Sequence, residues 1–128
     1  MTTKERARRI GDRIQEELAT ILQKEVDDPR LTMVTVTGVD VDRELAYATI
    51  FVSALEDEKE RRDEVLAALK RARGFLRSAL AERIQLRSFP DLRFRWDATY
   101  QHAERIEELL DQIKSGKKED PQVDLDPD

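Results

Sequence analysis

The chain has 128 residues and a formal net charge of −5, with 40% charged residues, 39% hydrophobic residues and no cysteine. That length suits one domain around a single core, and the missing cysteine excludes disulfides and thiolate metal sites and agrees with a cytoplasmic protein. No run approaches the roughly 18 apolar residues of a membrane span, and Lys4, Arg6, Arg8 and Arg9 have no apolar stretch behind them, so neither a membrane partner nor a secretory signal is expected.

Thr2 and Glu5 have the S/T-x-x-E spacing of a capping box, which predicts a helix from near Thr3. Ile10, Ile14, Leu18, Ile21 and Leu22 form its apolar stripe. Asp27-Asp28-Pro29 ends it, because the residue before a proline is pushed out of the helical region. Arg6, Arg9 and Arg13 lie beside the stripe and read equally well as a solvated face, with Glu16 and Glu17 one turn on, or as phosphate contacts.

Thr32 to Val41 alternates β-branched and polar residues as a strand does. Its apolar positions change parity, from Val34 and Val36 to Val39 and Val41, so one inserted residue and a β-bulge are predicted at Gly38. A turn through Asp42-Arg43-Glu44 leads to a second strand, Ala46 to Ser53, giving an antiparallel hairpin with Ala48, Ile50 and Val52 on one face. The charge run Glu56 to Arg62 reads as a solvated loop and the first turn of the next helix.

Helical spacing then continues on both sides of Ala72-Arg73-Gly74, through Val65, Leu66 and Leu69 before it and Leu76, Leu80 and Ile84 after it. A straight helix over residues 57–87 would measure about 45 Å against a domain diameter of roughly 36 Å. It would also set Arg73 inside the apolar stripe. The prediction is helix, kink at Gly74, helix, with Phe89-Pro90 ending the second half. Leu92, Phe94 and Trp96 alternate with Arg93, Arg95 and Asp97 in a third strand, and Phe75, Phe94 and Trp96 are expected in the core from their apolar periodicity. Tyr100, Ile106, Leu109, Leu110 and Ile113 make a last amphipathic helix. From Ser115 onward the chain is polar and acidic and is expected to be disordered. The organisation expected is therefore a domain over residues 1–114 and an acidic tail over 115–128.

The order α-β-β-α-α-β is an α+β arrangement with helices on one face of a small sheet, the order of a type II KH-like domain, here with a C-terminal helix added. A KH domain clamps nucleotide backbone with a GxxG loop between its paired helices. None of the four glycines (Gly11, Gly38, Gly74, Gly116) forms such a pair, and Ala72-Arg73-Gly74 occupies the position.

Charge gathers at the same place. Between Leu66 and Arg95 lie eight basic residues (Lys70, Arg71, Arg73, Arg77, Arg83, Arg87, Arg93, Arg95) against Glu82 and Asp91, a local balance of +6 in an acidic chain. Segregated charge of this kind marks a polyanion-binding face. With Gly74 at the kink and the first-helix arginines Arg6, Arg9 and Arg13, these residues form the candidate RNA surface. Arg73 and Arg77 are both expected to be exposed. Arginine suits phosphate because its fork donates two hydrogen bonds at once. With few aromatics among the charges, recognition is expected to be of backbone and shape.

No catalytic constellation is visible. His102 is the only histidine and has no cysteine to join it, and it reads as a surface residue. Asp27 and Asp28 read as a helix terminator, and Asp40 and Asp42 as turn residues. There is no P-loop, dinucleotide fingerprint or G-x-S-x-G. No enzyme activity, cofactor, metal or small-molecule substrate is expected.

Five segments together resemble the ribosome-binding factor A family. They are Asp28-Pro29-Arg30-Leu31; Val34-Thr35-Val36-Thr37 with Val39 and Val41; Ala72-Arg73-Gly74-Phe75-Leu76-Arg77; Leu86-Arg87 followed by Pro90 and Leu92; and Arg105-Ile106 before Leu109-Leu110. Each is short, but their order and spacing over residues 4–114 make the likeness specific. It departs from the family pattern at Ala103, where a glycine precedes the last helix. The resemblance implies a cytoplasmic assembly factor that binds the small (30S) ribosomal subunit and its 16S rRNA. It would assist late maturation and 5′-end processing and matter most in the cold. It also implies that the alanine-x-glycine kink replaces GxxG. A monomer is expected. The alternative is a protein-interaction adaptor that docks an acidic partner without touching RNA.

Overall fold

The computed structural model describes residues 2–56 and 58–98. Its elements in chain order are α1 (Thr3–Lys24), α2 (Pro29–Thr32), β1 (Thr35–Val41), β2 (Tyr47–Ser53), α3 (Lys59–Arg71), α4 (Arg73–Arg83) and β3 (Asp91–Trp96). All lie within residues 1–97, one unit of the chain. The expected last helix from Tyr100 to Ile113, with His102 and Ala103, and the acidic tail from Ser115 lie outside the described residues.

The capping box starts α1: the Thr2 hydroxyl accepts from the Glu5 amide at 3.1 Å, and a Glu5 carboxylate oxygen accepts from the Thr2 amide at 3.0 Å. After α1 the chain differs from expectation. Asp27-Asp28-Pro29 ends one helix and also begins another, so β1 starts at Thr35 rather than Thr32. The Asp28 carboxylate accepts from the Arg30 amide, and Pro29 stands in the first turn of α2, where a missing N–H costs nothing. The turn buries Leu31 in the core.

β1 and β2 pair antiparallel, and β3 joins β2 in parallel, giving the order β1-β2-β3. The register of β1 shifts between Val36 and Gly38, which leaves Thr37 as the inserted residue. The parity slip in the sequence thus has its physical counterpart. The Thr37 hydroxyl donates to the Asp97 carboxylate at 2.5 Å, tying the bulge to the end of β3. β2 lies between both neighbours, and Ala48, Ile50 and Val52 are wholly inaccessible beneath the helices.

α1 approaches β1 closely at Gly11. A Cβ there would lie 2.9 Å from the Val39 carbonyl oxygen, so only glycine fits without a shift. One turn on, the Gln15 amide donates to the Val36 carbonyl at 3.0 Å. The Gln15 bond occupies a backbone acceptor of an edge strand, which helps protect it from other strands.

The long helical stretch is two helices, and the break falls at Ala72 (φ −86°, ψ 1°). The second half stops at Arg83 rather than running to Phe89. Ile84 is extended, and Ile84 and Phe89 enter the core from a non-helical segment. Ile14, Leu18, Ile21, Leu69, Leu76 and Leu80 meet the sheet residues Ile50, Val52 and Leu92 in one cluster. Each such side chain, fully buried, contributes about 1.5–3 kcal/mol.

Candidate nucleic-acid interface

The break between α3 and α4 changes what the backbone offers. The Ala72 amide still bonds the Ala68 carbonyl at 3.0 Å, and its carbonyl accepts from Leu76 at 2.9 Å. Arg73, Gly74 and Phe75 form the first turn of α4, whose amides have no partner within that helix, and Ala72 provides no side-chain cap. This turn is the positive end of the α4 dipole. Gly74 is exposed, and the space its missing side chain would fill is open to 4 Å.

Beside this turn runs an open groove of about 530 Å³ between α3 and β3, lined by Asp63, Leu66, Ala67, Lys70, Arg73, Arg93, Phe94 and Arg95. Four of the eight basic residues of the charged stretch meet here. Lys70, Arg73 and Arg95 are exposed and have no ion pair among the described residues. Arg93 lies over the Tyr47 ring, 3.5 Å from its centroid, so its guanidinium is held on the outer face of the sheet. The one carboxylate of the groove, Asp63, bonds Lys59 at 3.1 Å on the adjacent turn.

The other predicted cations do different work. Arg77 is half-buried, not fully exposed as the sequence suggested. It donates to the Phe89 carbonyl at 2.5 Å and to the Pro90 carbonyl at 3.1 Å, pinning the segment that feeds β3. Arg83 is held by Glu25 and lies 3.5 Å from Glu17. The Arg83 hydrogen bond lowers the Glu25 pKa from its ordinary value, against an opposing effect of desolvation. Arg13 donates to the Arg83 carbonyl at 3.3 Å, at the C-terminal end of α4 where a cation is favourable. Arg71 is exposed and adds a weak charge effect at Asp28, whose pKa is lowered mainly by its hydrogen bond from the Arg30 side chain. Arg6, Arg9 and Arg87 are exposed but do not line the groove.

The aromatic residues also divide. Phe94 and Trp96 are partly buried against the core. Phe75 is 52% exposed, contrary to its expected place in the core, because Leu76, Ala79 and Leu80 take the inward positions of α4 and Phe75 lies off that stripe. Tyr47 is the platform for Arg93, a role not expected from the sequence. Its signal was the β2–β3 register, in which Tyr47 and Arg93 are diagonal neighbours on one face.

Residues 6–110 match the family model described as ribosome-binding factor A. The ribosome-binding factor A of Chromohalobacter salexigens is 47% identical over 108 residues, covering 84% of this chain and 82% of that protein. That of Halothermothrix orenii is 38% identical over 117 residues, covering 91% and 95% respectively. Among solved structures, the crystal structure of ribosome-binding factor A from Thermus thermophilus aligns with a TM-score of 0.61 at 30% identity, covering 70% of this chain and 93% of that one. A Thermus thermophilus homology model fitted into the cryo-EM map of a complex with the 30S subunit aligns with a TM-score of 0.57 at 31% identity, covering 69% and 91%. With the family model and these relatives agreeing over most of its length, the chain belongs to the ribosome-binding factor A family.

Proposed function

We propose that this chain is a non-catalytic RNA-binding assembly factor of the small (30S) ribosomal subunit, working in the cytoplasm as a monomer without cofactor. It assists late maturation and 5′-end processing of 16S rRNA, with most effect in the cold. In this reading the core is a type II KH-like domain, and Ala72-Arg73-Gly74 replaces the GxxG loop. The observation that carries the reading is the groove in which Lys70, Arg73, Arg93 and Arg95 converge beside the first turn of α4. Cations gathered beside a helix N-terminus suit a phosphate backbone. The 30S complex fitted with the Thermus thermophilus relative supports the same partner.

Titration of small-subunit rRNA at several salt concentrations tests this. Affinity should fall steeply as salt rises, because each neutralised phosphate releases counterions. A flat response counts against it. Co-sedimentation with immature rather than mature subunits tests the assembly role.

A second reading, the protein-interaction adaptor, is favoured by a separate, mainly apolar groove where Met33 and Leu55 stand exposed beside Pro29, Ala54 and Val65. A partner that remains bound after nuclease treatment would select it.

A further inference from the structure

The exposed Phe75 is unexplained by the fold. All the other phenylalanines are buried or partly buried: Phe89 in the core, Phe94 packed against it, and Phe51 half-covered on the sheet. Leaving an aromatic ring in water forfeits burial that the core could have used, and its position is specific. Arg73 and Phe75 are two residues apart on α4, so they leave the helix about 160° apart, on opposite flanks. Between them lies Gly74, with no side chain and nothing within 4 Å of where one would be. One flank opens into the cationic groove through Arg73. The other carries the phenyl ring, with the exposed Arg71 four residues before it across the break.

A chain that runs from the groove over the bare first turn of α4 therefore meets cations first and an aromatic face second. Single-stranded nucleic acid presents that same alternation of phosphate and base. We infer that Phe75 is a stacking platform for an unpaired nucleobase of the bound RNA, reached by a backbone that crosses α4 at Gly74. The inference rests on the RNA-binding reading and sharpens it. The groove holds phosphates and is indifferent to sequence and pairing, whereas the ring accepts only a base that is out of its helix. Selectivity for unpaired RNA then resides in Phe75 and affinity in the cations.

The test uses the full chain and two probes, an unstructured RNA of about 12 nucleotides, within the site size of a single-strand-binding domain, and a duplex of the same length, each titrated at several salt concentrations. Phe75→Ala should weaken binding to the unstructured RNA about tenfold, within the range of one lost base–aromatic stack. It should leave the duplex affinity unchanged. Its salt slope should match the unsubstituted chain, since no phosphate contact is lost, whereas Arg73→Ala should lower the slope by about 0.7. Phe75→Trp should keep the affinity, and its indole emission should be quenched by the unstructured RNA alone, measured against the single native Trp96. Equal binding of Phe75→Ala and the unsubstituted chain to the unstructured RNA overturns the inference, and so does an equal loss on both probes. An unsubstituted chain that binds neither probe overturns the RNA reading itself as well.

Discussion

The two ends of α4 carry the same residue type with opposite outcomes. At the C-terminal end, Arg83 is held by Glu25 and Glu17 from the α1 side, and Arg13 donates to the last turn of the helix. At the N-terminal end, Arg73 shares a groove with Lys70, Arg93 and Arg95, and the one carboxylate there is occupied by Lys59. What separates them is whether a neighbouring element brings an acid within reach. The dipole sharpens the contrast. Cations at the C-terminus are favoured, whereas Arg73 at the N-terminus costs some tenths of a kcal/mol. One end is a closed joint between helices; the other is a charge surplus that an anion would relieve.

The contrast breaks most visibly if the surplus is removed. Replacing Lys70, Arg73 and Arg95 together by alanine should lower rRNA affinity by about two orders of magnitude in low salt and cut the slope of log affinity against log salt by roughly two. The unfolding midpoint should not move, which thermal denaturation checks. The opposite pattern is expected at the other end, where Arg13→Ala with Arg83→Ala should lower the midpoint and leave the salt slope as it was.

Next in size is Gly11→Ala. The added methyl meets a backbone carbonyl at 2.9 Å, and α1 cannot move off β1 without loosening the core. A loss of about 1–3 kcal/mol in urea denaturation is expected, despite alanine's better helix propensity. Arg77→Ala should cost about 1 kcal/mol by the same measurement, through two lost bonds to carbonyls at a half-exposed site, with a smaller effect on RNA affinity than Arg73→Ala. That outcome would place Arg77 with the closed joint, although its sequence position is beside the open groove.

The smallest effect is in acid. Glu25 is held below its ordinary value of 4.5 by Arg83, so its contribution is fully present above that pH and is lost as pH falls through the lowered value. Stability should therefore decline below about pH 4.5 and decline less steeply in Arg83→Gln, followed by denaturation at successive pH values.

Much of the fold was legible in the sequence because it rests on local chemistry. Thr2 and Glu5 announce the start of α1, and the shift of parity from Val36 to Val39 locates the bulge within one residue. The α2 turn was written in Asp28-Pro29 but read only as a stop, since a proline that ends one helix equally well begins another. The candidate surface was legible as a charge total and less so as a map. Lys70, Arg73, Arg93 and Arg95 converge only once the chain is folded, whereas Arg77 and Arg83 were drawn away by carbonyls and carboxylates on other elements. Phe75 is apolar but lies off the stripe of Val65, Leu69, Leu76 and Leu80, so its residue type pointed to the core and its spacing did not.

β3 enters the sheet in parallel beside β2, after both α3 and α4 have been made. Chains emerge from synthesis N-terminus first, so the hairpin of β1 and β2 can zip up early while its open side waits for residues 91–96. Lys70 and Arg73 exist by then, but the wall that faces them does not. A truncated or half-translated copy thus lacks the groove altogether, and the ability to hold a ligand arrives in the same step that completes the sheet.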